Sequence, residues 1–261
     1  MTASIRLQLT PDVRYVLRIG DTCLVHAQRL AEWCGHAPVL EEDIALANLG
    51  LDLLGQARAL LTHAGRLEGG GHDEDTLAFL RDEHDYFNLT LVELPLRSGG
   101  ADFADTQLRC CIVAAWLACL WQGLASSRDR ELAAIAAKAT KETRYHLEHA
   151  ADWVVRLGDG SDASARRMQA ALARAWPYVA ELFDDDAVDA AAAASRLGPA
   201  ASTLRQPWQA SLRAVFAEAR LAPPAEGAFR SHGRRGRHSE HMGYLLVELQ
   251  HLQRAFPGGV W

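Results

Sequence analysis

Leu51-Asp52-Leu53-Leu54-Gly55-Gln56 and Lys141-Glu142-Thr143-Arg144-Tyr145-His146 lie about ninety residues apart, each inside a long helical pattern. Residues three apart share a helical face, so 53 with 56 and 143 with 146 form two inward-facing pairs. Working outward, almost every long segment reads as helix. The first starts after Thr10-Pro11 and runs to Gly35, with Val16, Ile19, Cys23, Ala27, Leu30 and Cys34 as one apolar stripe. Pro38 opens a second, with Glu41, Glu42 and Asp43 in its first turn, and it runs to about Ala64. A third spans Asp73 to just before Pro95, and Ser98-Gly99-Gly100 is a turn. The fourth, about 103–125, is apolar nearly all round and is the expected central helix. The fifth runs from about Asp129 to Leu157, and the sixth covers about 162–183. Asp184-Asp185-Asp186 and the alanines 190–194 read as a looser connection. A short helix at about 207–220, a basic loop and a last helix at about 238–255 close the chain. No strand pattern stands out, so the reading is an all-α antiparallel helix bundle in a single domain over 1–261. Its core bundle is expected at about 11–183, with additional C-terminal helices and the basic loop at about 184–261.

The totals agree with that reading. The 261 residues suffice for one well-buried helical domain, and 49% apolar content is that of an ordinary globular chain. A net charge of −6 gives no general attraction to nucleic acid or anionic membrane. The five cysteines, at 23, 34, 110, 111 and 119, form no C-x-x-C pair and read as reduced core residues of a cytoplasmic protein. Met1 to Asp12 lacks a signal-peptide layout, and the apolar run Cys110 to Trp121 is too short to span a bilayer. Most of the seven tryptophans, at 33, 116, 121, 153, 176, 208 and 261, are expected in the core.

The two opening pairs have the spacing of a di-iron carboxylate bundle, where two helices each carry Glu-x-x-His and two more each add a carboxylate. Here the frames read Leu53-x-x-Gln56 and Thr143-x-x-His146. Iron that activates oxygen needs anionic oxygen ligands with imidazole, and leucine has no donor atom. Glu142, His146 and His149 share a face and read as a polar network, with His146 expected on Glu32 or Gln56. The one true Glu-x-x-His, at Glu248 and His251, is isolated and cannot make a two-iron site.

Further stretches make the likeness specific. They are Gly35-His36-Ala37-Pro38, Asp43 to Asn48, Leu51 to Arg58, Asp73 to Phe79, Arg81-Asp82-Glu83, Arg144 to Leu147, and the tail from Glu240 to Trp261. Through them the chain resembles the ferritin-like subunits of the bacterial phenylacetyl-CoA epoxidase, also called phenylacetyl-CoA monooxygenase, over essentially its whole length. The resemblance implies a ferritin-like fold and a catalytic sister subunit, PaaA, whose corresponding stretches resemble Q-D-E-A-G-H and K-E-E-S-F-H. Carried over, the vestigial di-iron positions are Glu32, Leu53, Gln56, Ala114, Thr143 and His146, of which only Glu32 and His146 keep a ligand-type side chain. The implied function is a non-catalytic structural subunit, with no catalytic residues and no metal of its own. The di-iron centre is expected in the sister. NADPH, FAD and an Fe–S cluster are expected in a separate reductase subunit. The resemblance also associates Asp85, Tyr86, Phe87, Asn88 and, more weakly, Asp186, Ala187 and Val188 with the CoA substrate. On sequence alone 81–88 reads as a helix with a solvated face and two core aromatics.

Arg230 to His238 is the strongest basic cluster and reads as a flexible solvated loop, with CoA phosphates or an acidic partner as the sharper alternative. It lacks interleaved aromatics, which argues against nucleic acid. No glycine-rich phosphate motif occurs, so no nucleotide cofactor is expected here. Two readings from other classes stay open: a self-sufficient metalloenzyme using Glu32 and His146 with a third ligand, and a free-standing acyl-CoA-binding helical protein.

Overall fold

The computed structural model describes residues 4–96 and 102–259. The expected turn at 98–100 and Trp261 lie outside them. Among the described residues there are nine α-helices and no strands. Four long ones form the bundle: α1 (Pro11–Ala31), α2 (Leu40–Glu68), α4 (Phe103–Leu124) and α5 (Arg130–Gly158). The principal packings are α1 along α2 and α4 along α5, two hairpins that close on each other. The helix starts are local chemistry. Thr10 accepts from the Val13 N–H with Pro11 behind it, Asp102 and Asp105 form a reciprocal capping box, and Asp129 accepts from the Leu132 N–H. Helix α2 stops at Gly69, whose φ of 76° is left-handed and suits a residue without Cβ.

The remaining elements, α3 (Glu74–Phe79), α6 (Asp162–Ala175), α7 (Ala187–Ala194), α8 (Arg205–Glu218) and α9 (Glu240–Ala255), wrap the bundle. Helix α7 packs on α1, α6 and α8 on α4 and α5, and α9 on α3 and the segment behind it.

The four long helices bury different amounts of themselves. Helix α4 is buried on nearly every side, as its uniform apolarity requires. Helix α5 buries one narrow row, Leu132, Ala136, Ala139, Thr143, His146, Ala150, Val154 and Gly158. A Cβ on Gly158 would come within 2.3 Å of the Ala219 carbonyl oxygen, so the end of that row lets the α8 end of the chain approach. By length and composition α2 and α4 could each cross a membrane, but α4 is interior to the bundle and α2 exposes one face.

Several expected elements differ. The third helix ends at Phe79, and 83–85 and 90–93 are separate 3-10 turns. The buried Arg81 guanidinium, paired with Asp21, draws the chain out of helix there. The first helix ends at Ala31 and the second spans 40–68. The sixth changes to a 3-10 turn at Trp176, where Pro177 supplies no N–H. The supposed loose connection contains α7, started by a capping box between Asp186 and Asp189. Trp33, Trp116, Trp121 and Trp208 are buried, whereas Trp153 and Trp176 are half-buried. All five cysteines are free thiols, but Cys34 is exposed and Cys119 half-buried, so only three belong to the core.

Candidate functional site

The antiparallel packing of α1 on α2 fixes which residues share a level. The Cys23 Sγ lies 3.8 Å from the Gln56 Oε1, Gly20 sits against Leu60 and Leu61, and Gly50 against Ala27 and Leu30. The α1 residue level with Gln56 is therefore Cys23, with His26 one turn further on. Glu32 lies beyond the last residue of α1, about two and a half turns past Cys23, and pairs with Arg29. At the level of Leu53 and Gln56, α1 presents His26 and Cys23.

Helices α2 and α5 meet through separate polar pairs. The His146 Nε2 is 3.0 Å from the Asp52 Oδ2, so its partner is Asp52 rather than Glu32 or Gln56. The Gln56 Nε2 donates to the Glu142 Oε2 at 2.9 Å. The His149 Nε2 stands 3.1 Å from the Glu42 Oε2 without the alignment of a hydrogen bond. Helix α4 enters through Trp121, whose indole N–H donates to the Thr143 Oγ1 at 3.1 Å. Leu53 fills the space between as a buried aliphatic side chain. Ala114 is buried on α4 about two turns before Trp121 and has no polar atom in its side chain to offer. The structure thus brings Leu53, Gln56, Thr143 and His146 together and leaves Glu32 out.

The electrostatics of this centre favour neutral groups. Burial, followed by Arg109 and His146, pushes the His26 imidazole down to about 3. Burial also lowers His146, against the opposing pull of Asp52 and Glu142. Burial raises the Cys23 thiol. Two irons need several anionic oxygens facing one another, and the residues here do not fit them: an aliphatic carbon, an amide, a neutral hydroxyl and a thiol stand where carboxylates and imidazole would be needed. Among the described residues no group of three or more His, Cys, Asp or Glu side chains converges as a metal site requires.

The residues expected near CoA occupy a different region, a collar formed by 81–96, 181–189 and 231–239 around the start of α1. The Arg81 guanidinium and Asp21 are wholly buried together, and Asp21 also accepts from the Phe87 N–H. The Tyr86 ring lies 4.2 Å under Arg81, and its hydroxyl donates to the Ala78 carbonyl. The Asn88 amide donates to the Glu93 Oε1 at 2.9 Å. Tyr86, Phe87, Asn88 and Val188 are buried, Asp85 accepts from the Ser4 hydroxyl, and Asp186 caps α7 while accepting from Arg18. These side chains are engaged in the fold, and only Ala187 among them is exposed.

The basic loop is solvated only in part: Arg230, Arg235 and Arg237 are exposed, but Ser231, Gly233, Arg234 and Gly236 are buried. A Cβ on Gly233 would lie 2.5 Å from the Asn88 carbonyl oxygen, so only glycine allows this approach. Arg234 reaches Asp189 at 2.6 Å, and Asp189 accepts in turn from Arg18 at 3.0 Å. The Glu181 carboxylate accepts from the N–H groups of Thr90 and Arg234 and from the Ser231 hydroxyl. Burial resists the ionisation of Asp186, but Arg18 outweighs it and holds that carboxyl below its ordinary range. The Glu93 carboxylate accepts from Asn88, from Ser239 twice and from His238. The second His238 nitrogen faces the Tyr86 carbonyl at 3.0 Å. Acceptors at both nitrogens favour the imidazolium: burial would lower the ring's pKa, but Glu93 and the carbonyl raise it further. The structural roles of Arg18, Glu93, Glu181, Asp189 and His238 escaped the sequence, because no local pattern joins residues so far apart.

The profile of the family described as phenylacetic acid catabolic protein matches residues 2–261. The chain is 51% identical over 247 residues to one of the subunits of the 1,2-phenylacetyl-CoA epoxidase of Escherichia coli (strain K12), covering 95% of this chain and 98% of the relative. Among solved structures it is similar to a protein from Synechococcus with aldehyde deformylating oxidase activity. The TM-score is 0.54 at 16% identity, over 82% of this chain and 93% of the other. That likeness is one of fold, the ferritin-like helical bundle.

Proposed function

Since the chain belongs to the phenylacetic acid catabolic protein family, we propose that it is the non-catalytic, structural subunit of a phenylacetyl-CoA epoxidase. Its role is to support a ferritin-like sister that holds the di-iron centre. The complex inserts one atom of O₂ into the ring of phenylacetyl-CoA as the 1,2-epoxide. The other atom leaves as water, with two electrons taken from NADPH through a separate reductase. The complex works in the cytoplasm during phenylacetate breakdown.

The observation that carries this reading is the donor set between α2 and α5. Leu53 and Thr143 occupy the frame, Gln56 is turned to Glu142, and His146 to Asp52. An apolar and neutral centre needs no buried anions to offset metal charge. The bundle can then remain rigid without a cofactor, which suits a subunit that props up another.

The test is metal analysis of the purified chain, followed by turnover assays with and without the sister and the reductase. Substoichiometric iron, turnover only with the sister present, and near-normal turnover for Glu32→Ala with His146→Ala are expected. Two irons per chain with oxygen-dependent turnover by the chain alone would overturn the reading.

A further inference from the structure

Residues 222–259 lie at the edge of the bundle. Helix α8 ends at Glu218, and 222–230 then runs exposed throughout, with Pro223 and Pro224 near its start. Its ties are at the surface: Ala222 to Gln169, Glu226 to Arg205, and Phe229 against the Tyr178 ring. Helix α9 packs on α3 and on the 3-10 turns at 83–85 and 90–93. Met242, Leu245, Leu246 and Gln250 are the residues it buries, little apolar anchorage for a helix of sixteen residues.

What fixes this unit is the junction 231–239. Gly233 and Gly236 let its backbone lie against the carbonyl oxygens of Asn88 and His84. Two basic side chains enter the collar from it. Arg234 reaches Asp189, and its N–H donates to Glu181. The His238 side chain is wholly buried, 2.7 Å from the Glu93 Oε1 and 3.0 Å from the Tyr86 carbonyl oxygen. A guanidinium keeps its proton at any pH a protein survives, whereas an imidazole does not. A neutral ring has one N–H, so one of the two acceptors would then face a lone pair in a place water does not reach. The groups around the ring are mostly acidic: Glu93 and Glu83 from the two turns, and Glu240 at the exposed start of α9. Burial, followed by Glu93 and Glu240, raises Tyr178 and keeps it neutral. His84 faces the Gly236 carbonyl oxygen, His241 is turned to Glu240, and Arg237 is exposed. Arg29 of α1 meets Glu93 at its carbonyl oxygen.

We propose that residues 222–259 are a strap that opens as one unit, and that His238 is its pH-sensitive latch. With the ring charged the strap is shut, and as the ring gives up its proton the strap is released while the bundle stays folded. Opening bares the carboxylates of Glu93, Glu181 and Asp189 and the backbone of 84–90. The sign follows from the surroundings of the ring. Burial lowers its pKa, but Glu93, the Tyr86 carbonyl and Glu83 raise it further. The latch is therefore complete below the unfolded value of about 6.5 and is lost as pH rises through the folded value.

The experiment is native-state hydrogen exchange of the full chain, read by mass spectrometry from about pH 6 to about pH 9 with intrinsic rates divided out. Helices α9 and α4 are followed side by side. Protection in α9 is expected to fall about tenfold or more across that range, the scale of one charge-assisted hydrogen bond, with α4 unchanged. His238→Gln offers only a neutral N–H. It is expected to show at about pH 6 the low protection that wild type reaches near pH 9, and to lose the pH dependence. Leu245→Val trims an apolar anchor and no charge, so it is expected to lower α9 protection about tenfold at every pH and keep the wild-type slope. Equal α9 protection at both ends of the range in wild type would overturn the latch, as would a pH dependence that survives in His238→Gln. Loss of protection in α4 together with α9 would overturn the strap as a separate unit. If His238→Gln does not fold, the wild-type profile and Leu245→Val still decide the matter.

Discussion

Between α2 and α5, polar side chains meet in separate pairs, two of which have one member near solvent. Asp52 beside His146 is 40% exposed, and Glu142 beside Gln56 is 21% exposed. In the collar, Arg18, Asp189, Arg234, Glu181, Glu93 and His238 are almost wholly buried, and each carboxylate accepts several hydrogen bonds. The first region tolerates loss because water can replace a partner. The second does not, since removing one member strands a charge where no solvent reaches it. A ligand set can thus decay at the bundle centre without penalty to the fold, provided the buried charges that bind the chain together lie somewhere else.

The contrast is sharpest for stability. Asp21→Ala leaves the fully buried Arg81 unpaired and should cost about 3–5 kcal/mol. For a chain of this size that is a fall of roughly 10 °C or more in melting temperature by calorimetry. Gly233→Ala forces a Cβ against the Asn88 carbonyl and should cost about 1–3 kcal/mol in urea titration. Asp52→Asn, on the tolerant side, should cost less than about 1 kcal/mol by the same titration, as exposed pairs do. Equal losses at Asp21 and Asp52 would break the distinction.

The two regions should also respond to pH in opposite senses. His238 is raised in the folded state and faces Glu93, the Tyr86 carbonyl and, through space, Glu83. Its contribution is complete below the unfolded value of about 6.5 and is lost as pH rises through the folded value. His146 is lowered by burial despite Asp52 and Glu142. Its contribution is complete above about 6.5 and is lost as pH falls toward the folded value. The melting-temperature gap between wild type and His238→Gln should therefore shrink on going from about pH 6 to about pH 9. The gap for His146→Gln should shrink from about pH 8 to about pH 5. The smallest effect concerns turnover: Glu32→Ala with His146→Ala should change the rate of the assembled complex little.

Much of this contrast was open to the sequence on one side and closed on the other. The ends of α4 and α5 follow from Asp102, Asp129 and Gly158 with their apolar rows, and the stretches at Leu53 and Thr143 do share a level. Matching a carboxylate by residue type, as for Glu32, leaves register out of account. Counting back from Gln56 along an antiparallel hairpin reaches Cys23, and Glu32 falls beyond the helix. The region after Phe79 has ample helix-forming residues, yet the pull of Asp21 on Arg81 overrides propensity. Glycines and arginines at 230–237 resemble a solvated loop in isolation. Only distant acidic partners, Glu181 and Asp189, draw Ser231, Gly233 and Arg234 into the interior, while Arg230, Arg235 and Arg237 stay exposed.

Arg18 hydrogen-bonds to Asp186 and Asp189 and to the carbonyl of Arg234, partners 168 to 216 positions later in the chain. At translation speeds of about 5–20 residues per second, a newly made Arg18 waits roughly 10 to 40 s before its last partner is polymerised. Until Asp186 and Asp189 are made, the nascent bundle holds an unmatched cation on its first helix. The segment 231–239, made long after α1, completes the collar, and a chain cut before Gly233 would keep eight of its nine described helices and still lack Arg234.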